Sequence, residues 1–228
     1  MLRALALLLL LPLAAAAEGR AILPAHEQAE WNAAGRLNLG GGFCSGALIA
    51  PDLVVTAAHC LYAPRTGVER RPERLTFVAG YRMMKHQGFA KGARFAIHPD
   101  YVYDPEAGME EIAADLALVR LAEPLAPAPF GLAPGIEEGD EVTILSYARD
   151  RPEIPSLQSP CGVLARRGAV AVLDCDVTWG VSGAPVFRRV EGEWRVVAVV
   201  SAMGRWRGEK AAFAVALDAA LGPVLAAD

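Results

Sequence analysis

Three short stretches of this 228-residue chain hold side chains whose types suit covalent acyl chemistry. Gly180-Val181-Ser182-Gly183 places a hydroxyl on a turn that its glycines permit, inside the longer run Cys175 to Phe187. A serine hydroxyl is a poor nucleophile at neutral pH unless a base takes its proton and a third group holds that base in the right tautomer. His59, in Thr56-Ala57-Ala58-His59-Cys60, is the natural base, and Asp115, in Asp115-Leu116-Ala117-Leu118-Val119, the natural orienting group. On such a turn the main-chain N–H groups of Gly180 and Ser182 can converge on a developing oxyanion. Each piece alone has a plainer reading: Gly-x-Ser-Gly is a common turn, a lone His is usually at the surface, and an Asp before a strand often caps a turn. Asp115 nevertheless precedes a continuous apolar run, where an unpaired carboxylate is costly to bury and a buried partner such as His59 resolves the cost.

The elements that must position these groups read as many short strands. Residues 47–49, 53–56, 75–79, 116–121, 142–147, 169–173, 195–201 and 213–217 are apolar or alternating runs separated by Gly, Pro or charged turns. That pattern predicts an all-β sandwich or barrel. Residues 216–227 are expected to close the chain with a short helix, and one helical turn is expected within 25–35. No solenoid repeat or low-complexity tract interrupts the chain after its first residues.

With the three stretches in the order His, Asp, Ser, each in its own setting, the chain resembles the trypsin-like (chymotrypsin-fold) serine peptidases. Thr-Ala-Ala-His-Cys matches that family's histidine motif residue for residue. The resemblance runs from about Leu37 to about Leu217 and is strongest to the secreted bacterial branch that includes the glutamyl endopeptidases. It implies two six-stranded antiparallel β-barrels with the active site between them, joined near the proline-rich stretch 124–134. The expected division is 1–17 as a signal peptide, 18–125 with the first barrel, and 126–228 with the second barrel and the helix. It also implies that Ser201 follows the strand lining the substrate channel and bonds near Asp115, and that no cofactor is needed. The alternative function is a secreted binding protein that keeps the fold without the activity.

Met1-Leu2-Arg3, the apolar run to Leu13 and the small residues 14–17 have the form of a secretory signal peptide cut after Ala17. Pro12 and the alanine tail argue against a membrane-spanning helix. Removing Arg3 with that segment takes the formal charge from −4 to −5. This modest acidity, without basic runs, predicts no nucleic-acid partner and no membrane partner once the signal is gone; the resemblance implies a peptide or protein substrate, and a monomer is expected. Cys44, Cys60, Cys161 and Cys175 allow three pairings in principle. Cys44 with Cys60 and Cys161 with Cys175 each bracket a hairpin-like segment, so local pairing is expected, and the first bridge matches the family's bridge beside the histidine. Each loop would contribute about 3 kcal/mol by restricting the unfolded chain. No metal is expected: there is no Cys-x-x-Cys or His-Glu-x-x-His spacing and no EF-hand loop.

Substrate preference rests on departures from the family pattern. Asp176 stands six residues before Ser182, the offset of the trypsin carboxylate that selects Arg or Lys, although here the flanking cysteine precedes the Asp. Trp179 is placed to wall the pocket rim. Ala202-Met203 replaces the usual Trp-Gly pair after Ser201, so Met203 is expected to narrow the pocket, and no histidine near Ser201 supports glutamyl preference. Before Ser182, Val181 replaces the Asp that receives a new N-terminal ammonium in animal trypsins. Valine can receive neither charge nor hydrogen bond, so the turn is expected to be shaped by packing, with Val181 buried and the Cys161–Cys175 bridge fixing its approach.

Overall fold

The structure, a computed structural model, describes residues 19–228; the segment 1–17, expected as a signal peptide, lies outside them. Two antiparallel barrels account for most of the chain. After a short strand β1 (Ala21–Ile22) and a 3-10 turn (Gln28–Trp31), the first barrel is built from β2 (Ala34–Asn38), β3 (Phe43–Ala50), β4 (Leu53–Thr56), β5 (Thr76–Ala79), β6 (Gly88–Ile97) and β7 (Ala117–Leu121). It closes in the order β2-β3-β4-β7-β6-β5. A single-turn helix α1 (Met109–Ala113) precedes β7, and a two-residue strand β8 (Gly131–Leu132) lies on the crossing to the second half.

The second half comprises β9 (Glu141–Ala148), β10 (Arg151–Arg167), β11 (Val170–Leu173), β12 (Pro185–Val190), β13 (Glu193–Trp206) and β14 (Glu209–Ala216). These form a ring, because β9 and β10 pair with each other as well as ending the path β10-β11-β14-β13-β12-β9. β1 extends β10, and β8 pairs in parallel with β13. The long β10 makes closure possible. Its register shifts between Arg151 and Ser156 and again between Gln158 and Cys161, and Pro152, Pro155 and Pro160 fall in those two interruptions. A proline has no N–H for the ladder, so it marks the places where the strand bends. Residues 151–162 of β10 then run along β9, and residues 163–167 pair with β11.

The apolar core runs from the first barrel into the second half. Trp31, Phe130, Phe187 and Trp194 pack together, with ring centroids of Trp31 and Phe187 5.0 Å apart and of Phe130 and Phe187 4.6 Å apart. The chain closes with α2 (Leu217–Ala227), which buries Leu217, Ala220, Leu221 and Val224, the spacing of one helix face. Asp228, which follows α2, accepts a hydrogen bond from Arg120 of β7 and ties the end of the helix to the first barrel. Among the described residues no helix is long and apolar enough to cross a membrane.

All eight runs expected as strands lie on strands, to within a residue or two at their ends. Six further strands carry weak sequence signals, β1 and β8 being only two residues long. β10 is interrupted by prolines, β6 by Lys91, Gly92 and Arg94, β2 is short, and β12 follows the Ser182 turn without a break in pattern.

Candidate active site

β4 ends at Thr56 and runs into a 3-10 turn, Ala58–Leu61, which carries His59. The next residue, Cys60, is bridged to Cys44 on β3, so the turn is fastened to the barrel wall beside it. Asp115 lies between α1 and β7 and is 4% exposed. Three donors meet its carboxylate. The His59 backbone N–H donates to Oδ1 at 2.8 Å, His59 Nδ1 lies 2.7 Å from Oδ2, and the Ser201 hydroxyl donates to Oδ2 at 2.5 Å. Satisfied this way, a buried carboxylate is tolerated. An ionised carboxylate only accepts, so Nδ1 carries the imidazole proton and Nε2 is left as the acceptor. Burial lowers the His59 pKa, but the charge of Asp115 and its hydrogen bond outweigh burial and leave the pKa above the ordinary histidine value.

Ser182 is half-buried and shares a cleft of about 590 Å³ with His59, Asp115 and Ser201. Its turn is held by hydrogen bonds to four of its backbone carbonyls. Arg149 N–H donates to Trp179 O (2.7 Å), the Ser45 hydroxyl lies 3.2 Å from Gly180 O, Ala184 N–H donates to Val181 O (2.9 Å), and Ser45 N–H donates to Ser182 O (2.8 Å). In a trans peptide the N–H points opposite to the preceding C=O. The Gly180 and Ser182 N–H groups therefore face away from the Trp179 and Val181 carbonyls, and no backbone acceptor takes either among the described residues.

Two glycines let this turn press against the first barrel. Gly183 has φ +77°, and a Cβ there would stand 2.2 Å from Thr56 Oγ1 and 2.3 Å from Ser45 O. Gly180 has φ +94°, and its Cβ would meet the Phe43 ring at 2.7 Å. Val181 is 1% exposed and belongs to an apolar cluster with Val142, Val186, Val200 and the bridged Cys161 and Cys175.

Of the residues singled out from sequence, His59, Asp115, Ser182, Trp179, Ser201 and Met203 line this cleft. Trp179 (63% exposed) and Met203 (45%) stand at its surface. Asp176 does not line it. The bridge at Cys175 ties the chain to β10, the Asp176 N–H bonds Gln158 Oε1, and its exposed carboxylate faces Arg20 Nε at 3.9 Å. The trypsin offset thus does not carry over, because a cysteine before the Asp rather than after it gives the loop another path. Glu111 lines the cleft together with Asp104 and Glu106, and its Oε2 accepts the Gly108 N–H at 2.8 Å.

Sequence reasoning missed Ser45. Its hydroxyl accepts the Tyr147 N–H at 2.9 Å and sits against Gly180 O, so it links β3, β9 and the Ser182 turn. It is also 1% exposed, and nothing around Cys44 in the sequence announces the role. The two groupings of metal-ligand types among the described residues, around Cys44–His59–Cys60 and Cys161–Asp174–Cys175, each depend on cysteines already bridged and offer no thiolate.

A model of the trypsin-like peptidase domain matches residues 44–199. A trypsin from Saccharopolyspora erythraea is 32% identical over 102 residues, which is 44% of this chain and only 40% of that protein's length. The solved structure of a Glu endopeptidase in complex with MPD superposes with a TM-score of 0.75, covering 92% of this chain and 96% of that one, at 20% identity.

Proposed function

Because the chain belongs to the trypsin-like peptidase family, we propose that it is an exported serine endopeptidase that cleaves peptide bonds through Ser182, His59 and Asp115. The observation that carries this reading is the carboxylate of Asp115, buried and holding the His59 backbone N–H, the His59 Nδ1 and the Ser201 hydroxyl in the cleft that contains Ser182. Ser182 Oγ attacks the substrate carbonyl while His59 Nε2 takes its proton. Asp115 stabilises the imidazolium that forms. The N–H groups of Gly180 and Ser182 receive the oxyanion. His59 then gives the proton to the leaving amine, and water, activated by the same imidazole, releases the acyl group from Ser182.

The substrate strand pairs with the backbone of Ser201 to Met203 by strand addition. Val177, Thr178, Ala202 and Met203 surround the position of the side chain at the scissile bond, and among the described residues no Lys or Arg lines the cleft. An uncharged side chain fits these walls, whereas glutamate finds no cation and Asp176 is turned away from an Arg or Lys. A closed cleft would favour a relative that only binds; here the cleft is open beside Ser182, which favours hydrolysis. The two bridges suit an oxidising compartment outside the cytoplasm.

A fluorophosphonate probe tests the reading directly. Wild-type protein is expected to be labelled at Ser182 and to cleave a peptide library, and Ser182→Ala to do neither. An unlabelled, folded wild type refutes the proposal.

A further inference from the structure

In this chain no buried carboxylate precedes the nucleophile, so something other than a captured ammonium must hold the oxyanion turn. The Trp179 carbonyl is the handle. It accepts the Arg149 N–H at 2.7 Å, and the orientation of that peptide plane decides where the Gly180 N–H points. Arg149 and Asp150 form the tight connection between β9 and β10.

We propose that Arg20 is a positioning residue for the oxyanion turn, a reading that rests on the peptidase function above. Its guanidinium makes two hydrogen bonds to Asp150, Nη1 to Oδ1 at 3.1 Å and Nη2 to Oδ2 at 3.0 Å. This fork-to-fork geometry fixes direction as well as distance. The Arg20 side chain is only 10% exposed although Asp150 is 52% exposed. Its Nε is buried with no hydrogen-bond partner among the described residues, and the Asp176 carboxylate lies 3.9 Å from it. Arg20 thus stands between the two segments that flank the turn: the β9–β10 connection, which holds Trp179 O, and Asp176, three residues before Trp179. The strong bidentate contact is on the first side.

Arg20 is itself anchored. Ala21 and Ile22 pair with Leu157 and Ser156 of β10, the Leu23 N–H donates to Pro155 O, and Arg151 Nη1 reaches Arg20 O at 3.4 Å. The consequence is a clamp from the start of the described chain to the peptide that presents the Gly180 N–H. Arg20 touches no reacting atom. It acts through Asp150, Arg149 and Trp179, and the interaction it supports is made only when the oxyanion forms.

The test compares wild type, Arg20→Ala, Arg20→Lys and Asp150→Asn in steady-state hydrolysis of an activated ester and a peptide, with Tm measured for each. Loss of the clamp is expected to lower kcat about tenfold with KM within about twofold, the pattern of an interaction made only in the transition state. Arg20→Lys, which keeps the charge but not the fork, is expected to fall between wild type and Arg20→Ala. Asp150→Asn replaces a half-exposed side chain with one of the same shape, so it reports on the clamp even where Arg20→Ala folds poorly. An unchanged kcat in Asp150→Asn, or a change confined to KM, overturns the proposal. A wild type that fails to be labelled at Ser182 removes both this proposal and the peptidase reading, whereas a fully active wild type with unchanged variants removes this one alone.

Discussion

The two walls of the cleft are held by different forces. On the His59 side, a single buried carboxylate collects a backbone N–H, an imidazole and a hydroxyl, all donated by side chains or loops of distant sequence. On the Ser182 side, backbone carbonyls are pinned by N–H groups and the Ser45 hydroxyl, Val181 is sunk in the core, and two glycines admit the barrel wall. The first wall concentrates its organisation in one charge, and the second spreads it over a backbone path. One side-chain change should therefore destroy the chemistry on the first wall without unfolding the protein. The second wall should tolerate most side-chain changes but not the addition of a methyl group where the backbone is in contact.

The largest expected effect lies among the reacting groups. His59→Ala and Ser182→Ala are each expected to lower kcat about ten-thousandfold or more, and the double variant to lose little further, because the groups act as a unit. Steady-state kinetics of the three proteins measures this. Near-wild-type turnover by His59→Ala would break the contrast between the walls, since the charge-organised side would then not be carrying the proton.

Gly183→Ala probes the other wall. At φ +77° a Cβ is strained, and here it meets the Ser45 carbonyl oxygen, a backbone atom that cannot swing aside. A loss of about 3 kcal/mol in urea unfolding is expected, together with loss of labelling by the fluorophosphonate. A variant that keeps both stability and labelling would mean that the turn is not seated against β3 and β4 as described.

The smallest effect is a displacement in pH. The Asp115 carboxylate raises the His59 pKa above about 6.5 despite burial, so the acid limb of kcat/KM should have its midpoint above that value. The sign for stability is opposite to that for activity. A histidine whose folded pKa is raised stabilises the fold fully below its unfolded pKa, and that contribution fades as pH rises through the folded pKa. Activity lost on mild acidification should therefore return on neutralisation, without unfolding. In Asp115→Asn the raising influence is gone while burial remains, and the residual activity should titrate at lower pH. A limb that stays in place in that variant would sever Asp115 from the behaviour of His59.

Much of this was legible in the chain before its fold was known. Cys44 and Cys60, Cys161 and Cys175 bridge as their bracketing of short segments implies, and β4 coincides with the apolar run 53–56. The burial of Val181 follows from its being apolar between glycines that must sit at a contact. Less legible were the strands whose patterns are broken. Pro152, Pro155 and Pro160 read as loop residues, yet they mark bends within one 17-residue strand. Asp176 shows the limit of an offset: the count of residues to Ser182 is right for a pocket floor, but the path of the intervening backbone is not.

By itself the sequence determined the inventory of chemistry, a hydroxyl, an imidazole and a carboxylate, each embedded in a local string, and an all-β pattern able to hold them. Local strings suffice there because a disulfide, a tight turn and strand alternation act over a few residues. Only the tertiary structure decided that Ser45 would meet Gly180, that Arg149 would hold Trp179, and that Arg20 would grip Asp150. The partners in the first and last of those contacts are more than a hundred residues apart. Their meeting depends on register accumulated through bulged strands, where a slip of one residue turns every side chain to the other face.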